Sequence, residues 1–181
     1  MRKVLGLFVA AALMVPAAAY FGSSAGAAGG TSCASGKGSA TFTPALPILS
    51  SKVKVKDVLK SSGTVAGCTG TVKSGTLTGV AAPSATGSNC LTIATPTTTP
   101  TKITLTVKWN TGDTSTIPAQ LKEIKGVPVT TQTVSGTVSV GLFKGSKLSA
   151  KFTYKLPAGA CSKGHPLAKL TYTNVGATVI K

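Results

Sequence analysis

The sequence predicts an all-β protein, an antiparallel β-sandwich of the immunoglobulin-like kind, and three observations predict it. Apolar and polar residues alternate with a period of two over several runs, threonine and valine are abundant, and about nine or ten short runs are divided by glycine, proline and asparagine. Side chains that alternate in this way give a strand one face for the core and one for water, and two such sheets bury their apolar faces against each other. Helical periodicity is missing. The nearest approach, Ala119 to Lys125, is short and bracketed by Pro118 and Gly126.

The chain opens with Arg2 and Lys3, an apolar run from Val4 to Val15, Pro16, and the small-x-small triplet Ala25-Gly26-Ala27. That order predicts a signal peptide over residues 1–27, cut after Ala27, with Ala17-Ala18-Ala19 as a second site. The apolar run is 12 residues long, short of the ~18 to 20 that span a bilayer, so no integral membrane segment is expected after cleavage. The protein is therefore expected to be secreted, extracellular or associated with the cell wall. Residues 28–38 are mostly glycine, serine and alanine and read as a flexible segment pinned by Cys33, and residues 39–181 as a single β-sandwich domain.

Within that domain the plainest strand is Lys102 to Trp109, with Ile103, Leu105, Val107 and Trp109 on one face and lysine and threonine on the other. Lys147 to Lys155 repeats the design, and Val53 to Lys56 and Val134 to Leu142 follow it. Further strands are expected at Ala40 to Thr43, Thr71 to Leu77, Leu91 to Ala94, Thr114 to Ile117, Lys169 to Thr173 and Ala177 to Ile180. Asn110-Thr111-Gly112-Asp113 reads as a hairpin turn in which Gly112 takes positive φ. Thr95 to Thr101 is a proline-containing connector whose rings cannot donate to a ladder.

Cys33, Cys68, Cys90 and Cys161 are an even set in an exported chain, so two disulfides are expected, with sequential pairing favoured among the three connectivities. Their separations of 35, 22 and 71 residues, beside a single histidine, do not suit zinc. Asp57, Asp113 and Glu123 are too scattered for a calcium loop, and no phosphate-cradling glycine motif occurs, so neither metal nor cofactor is expected.

Catalysis has little to draw on. His165, in Gly164-His165-Pro166 near Cys161, reads as loop geometry; the enzyme alternative is a secreted hydrolase pairing it with a carboxylate, but no Gly-x-Ser-x-Gly elbow supports a nucleophile. Trp109 falls on the apolar face of its strand and reads as core.

The charge balance carries more colour. The expected mature chain keeps 17 of 19 basic residues, all lysine, against 3 acids, a formal charge of +14. Lysine is a hydrated point charge without the planar fork of arginine, so no specific nucleic-acid recognition is expected. Lys102, Lys108, Lys147, Lys151 and Lys155 take outward strand positions and are the candidate binding residues, offering a cationic surface to anionic cell-wall polymers. The same lysines blunt sheet edges and favour a monomer.

Cys33 followed by Ala40-Thr41-Phe42-Thr43-Pro44, then Gly67-Cys68-Thr69-Gly70, Asn89-Cys90, Thr106 to Gly112 and a late Cys161 resembles small secreted proteins of unknown function from actinomycete bacteria. The resemblance implies an extracellular or cell-wall location and no activity. The expectation is thus a secreted, non-catalytic protein that binds, or has a structural role, at the cell envelope. A cationic inhibitor or antimicrobial factor is a further alternative.

Overall fold

The computed structural model describes residues 29–48, 54–83, 86–90, 99–123 and 131–181. The strands are β1 (Thr31–Leu46), β2 (Val58–Cys68), β3 (Ser74–Ala81), β4 (Thr101–Trp109) and β5 (Thr114–Glu123). They continue as β6 (Thr131–Thr137), β7 (Val140–Gly141), β8 (Lys147–Lys155), β9 (Leu167–Asn174) and β10 (Thr178–Ile180). Each long strand pairs antiparallel with the next, in the order β1-β2-β3-β4-β5-β6-β8-β9, and β9 returns to β1 with Lys37 opposite Thr173 and Thr41 opposite Lys169.

The sheet therefore closes, and the expected two-sheet immunoglobulin-like sandwich is corrected to an eight-strand antiparallel β-barrel. Both architectures use short strands with one apolar face; what separates them is whether the last strand finds the first, and alternation along each strand does not encode that pairing. Closure also leaves no long sheet edge to protect. β10 continues the barrel position of β9, pairing with β1 and β8 beyond an interruption in which the Val175 amide donates to the Lys151 carbonyl at 2.8 Å.

Several expected strands gain length. β1 begins at Thr31, inside the segment read as flexible, because it is paired on both sides, and β5 runs on through Pro118 over the stretch that came nearest to a helical pattern. β2 is absent from the sequence expectation altogether. Of Lys54 to Lys56, only Val55 pairs, in an isolated bridge to Ser88, while Val53, the run Leu91 to Ala94, residues 1–28 and most of the Thr95 to Thr101 connector lie outside the described residues.

The connections sort by length. The connections from β1 to β2, β3 to β4 and β8 to β9, each 11 residues or more, leave from one end of the barrel, and the tight β2–β3 and β4–β5 turns and the β6–β8 connection that carries β7 fall at the other. At the tight end Trp109, Phe143, Val72, Ile117 and Val138 are all at most 3% exposed and plug the barrel, with the Trp109 and Phe143 rings edge to face at 5.6 Å. The Trp109 Nε1–H donates to Ser115 Oγ at 2.8 Å, and Ser115 in turn donates to the Leu142 carbonyl at 2.5 Å, so the indole is buried with its polar edge satisfied. The Asn110 to Asp113 hairpin forms as expected, with Gly112 at φ 92° and the Gly112 amide donating to the Trp109 carbonyl.

The disulfides join Cys33 to Cys68 and Cys90 to Cys161. The first ties β1 to β2 at the plugged end, and the second joins the 82–100 connection to the 156–166 connection at the long-loop end. Two such bonds suit an oxidising environment. Outward positions are filled by threonine, serine and lysine, as in Lys102, Thr104, Thr106 and Lys108 of β4 and Lys147, Ser149, Lys151 and Thr153 of β8. That is the reverse of a bilayer-facing barrel, whose outer band is apolar.

Candidate ligand-binding cavity

Eight strands enclose a space that side chains can just fill, or that holds one small ligand if the inward residues are small. Here the wall made by β1 to β3 turns small residues inward: Gly38 and Ala40, Ser61 and Gly63, Gly79 and Ala81. The buried apolar residues accordingly divide into two clusters, one running from the plug up the β3 to β6 wall and the other along β1, β8 and β9. Between them, above the plug, lies a cavity of about 940 Å³ lined by residues of both clusters, Leu105, Val134 and Leu148 from one and Phe42, Tyr154 and Leu170 from the other. Its described rim includes Pro83, Gly87, Ser88, Pro100 and Lys102, so it reaches the long-loop end.

Of the polar side chains on this mainly apolar wall, three bear most on what it can hold. Tyr172 crosses towards β2, where its hydroxyl donates to the Ser62 carbonyl at 3.2 Å. It reaches that carbonyl because Gly38 and Gly63 lack side chains: a Cβ on Gly63 would stand 2.7 Å from the Tyr172 hydroxyl. Burial pushes the Tyr172 phenol above its ordinary 10.0, and the Ser61 hydroxyl draws it back in part. Ser61 Oγ is buried close enough to influence the phenol but meets hydrogen-bond geometry with none of the described residues. The third is Asp57, 6% exposed, whose Oδ1 is likewise buried with no hydrogen-bond partner among the described residues. Asp57, Leu59 and Ser61 all line the cavity, as the period of a strand requires, so the acid stands at the long-loop end of an inward row on β2.

The residues singled out in the sequence fall elsewhere. Lys102 and Lys108 lie on β4, and Lys147, Lys151 and Lys155 on β8, two rows separated by β5 and β6 around the barrel. The five do not share a face; lysine is spread around the outer surface, and of these five only Lys102, exposed at the rim, is near the cavity. His165 is exposed in the loop after β8, where its amide donates to the Ser162 carbonyl and its carbonyl accepts from the Cys161 amide. The hollow beside it, about 320 Å³, has no carboxylate in its described lining. Asp113 lies at the plugged end, held by Thr111 Oγ1 at 2.9 Å, and Glu123 ends β5 opposite Gln132, so a pairing of His165 with Asp113 is not formed. Among the described residues no group of three or more His, Cys, Asp or Glu side chains is placed to hold a metal ion.

Sequence reasoning passed over the cavity. A signal for it was present in the alternation Asp57-x-Leu59-x-Ser61-x-Gly63-x-Val65, a strand row that opens on an acid and narrows to glycine. No family model, curated protein or solved structure matches the chain.

Proposed function

We propose that this is an exported, non-catalytic binding protein whose barrel holds one small apolar molecule. The observation that carries the reading is the cavity of about 940 Å³, plugged at one end, reaching the long-loop end at the other, and walled mainly by apolar side chains. Its size is at the upper end of the ~300 to 1,000 Å³ of small-molecule sites, and a dry wall with few polar groups is their usual make-up. The basic start, apolar run and small-x-small triplet support export, as does a fold closed by two disulfides.

The test is titration with N-phenyl-1-naphthylamine, a neutral fluorophore that brightens in apolar surroundings, at low and high salt. One saturable site that ignores salt is expected. Ala150→Phe, which adds a ring to the cavity wall, should weaken binding at that site while leaving the far-ultraviolet spectrum as the parent's. No saturable binding, or equal binding by the variant, overturns the reading.

The outward lysines support a second role on the same molecule, adhesion to anionic cell-wall polymers. Lysines on β1, β2, β4, β5, β8 and β9 give contact without a preferred face. Sedimentation with isolated envelopes should then fall steeply with salt and with lysine acetylation, and retention that ignores both would end that role.

A further inference from the structure

We infer that the cavity selects an apolar molecule carrying a hydrogen-bond-donating, cationic head of the amine class, and that Asp57 receives it. The inference rests on the ligand-holding reading of the barrel and adds which end of the ligand is polar and what its charge is. Asp57 is 94% withdrawn from solvent, borders the cavity, and leaves Oδ1 with no partner among the described residues. A buried carboxylate oxygen without a donor is expensive to keep, and an ammonium or hydroxyl from outside the chain supplies what the chain does not. Most of the exposed area of the rest of the wall is apolar, from residues such as Phe42, Leu105 and Val134, although Gln132, Asn174, Thr178 and several other threonines also line it, so the body of such a ligand is mainly hydrocarbon.

The outer charge works against this preference, which makes it diagnostic. A chain of net +16, with its lysines outside, attracts anions in general. Those exposed charges are screened over about 10 Å at ordinary ionic strength, whereas a group inside the cavity faces Asp57 at short range with little intervening water. Lys37 and Lys102 also border the cavity, but both are exposed.

The experiment displaces bound N-phenyl-1-naphthylamine with three ligands of equal chain length, dodecylamine, dodecan-1-ol and dodecanoate, on the whole exported protein. The expected order is amine tightest, alcohol next and carboxylate weakest, with amine and carboxylate at least about tenfold apart. Asp57→Asn, of the same shape, should bring the amine and carboxylate within about threefold of each other, each displacement being referred to the variant's own fluorophore affinity. Equal affinities in the parent, a carboxylate preference that would point to Lys102 instead, or an unchanged order in the variant each overturn the inference while leaving the apolar site standing. Failure of the fluorophore to bind overturns the ligand-holding reading and this inference with it. The head-group order in the parent is decisive even if Asp57→Asn folds poorly.

Discussion

Replacing Ser115 by alanine tests whether the plug is held by its one internal hydrogen-bond relay. Ser115 is fully buried, accepts from Trp109 Nε1–H at 2.8 Å and donates to the Leu142 carbonyl at 2.5 Å, so a single hydroxyl satisfies both groups. Removing it orphans the indole N–H, and a buried unsatisfied donor costs about 1–3 kcal/mol. Leu142 is only partly buried, so water can reach its carbonyl and that loss stays near the lower bound. The expected destabilisation is about 2–3 kcal/mol, or roughly 5–10 °C for a domain of this size. Trp109 is the only tryptophan, which makes its fluorescence a local report, but far-ultraviolet dichroism in urea allows Trp109→Phe to enter the same cycle. In the Ser115→Ala background that second change should cost less by at least about 1 kcal/mol, because the orphaned donor leaves with the indole. A Ser115→Ala midpoint within about 0.5 kcal/mol of the parent, or additive singles, refutes the relay.

Two further outcomes follow from the cavity wall and the cross-links. Burial raises the Tyr172 pKa above its unfolded value of 10.0, so the folded state holds that proton longer. Its stabilisation is complete below about pH 10 and is lost as pH rises through the folded value, at up to about 1.4 kcal/mol per pH unit; parent minus Tyr172→Phe in urea melts at pH 9 to 11.5 isolates this from lysine deprotonation, and a flat difference refutes it. Paired Cys→Ser replacement at 33 and 68 or at 90 and 161 should each cost about 4 kcal/mol, with the second larger by about 0.6 because it closes 71 residues rather than 35. A loss under about 1 kcal/mol for the Cys90 and Cys161 pair would mean that the long-loop end is fixed without it.

Strands with large inward residues were legible in the sequence, and strands with small ones were not. β4 and β8 announce themselves because Ile103, Leu105, Val107 and Trp109, or Leu148, Phe152 and Tyr154, contrast with lysine and threonine. β2 turns Leu59, Ser61, Gly63 and Val65 inward against Lys60, Ser62 and Thr64, and serine or glycine opposite serine gives no contrast. The first half of β1, with Gly36 and Gly38 inward, fails for the same reason and looks like a flexible leader. Trp109 as core, the hairpin at Gly112 and the sequential cysteine pairing were all within reach, since each depends on local pattern or on chain order. Closure was not, because it rests on the meeting of β1 with β9, far apart in the chain. Asp57 was read only as one of three scattered acids, since its burial follows from that closure.

The residues that hide β1 and β2 from a pattern search are also those that open the cavity, and the two facts share a cause. A wall of glycine, alanine and serine neither advertises a strand nor fills a barrel, and it contributes little apolar area to hold the sheet together. Stability must then come from elsewhere, and the chain places it at the ends: a plug of large, fully buried side chains with a satisfied indole at one, a disulfide between long connections at the other, and a second disulfide where β1 enters the plug. A barrel built only to be stable gains by turning larger side chains inward at Ala81 or Ala150, which line the cavity, and closing the space. Keeping those positions small while concentrating the packing beyond them gives up stability in the middle of the barrel, where an occupant would restore it. A packed floor below a cavity bordered by a carboxylate oxygen with no partner among the described residues is the division of labour that the proposed ligand-holding role requires.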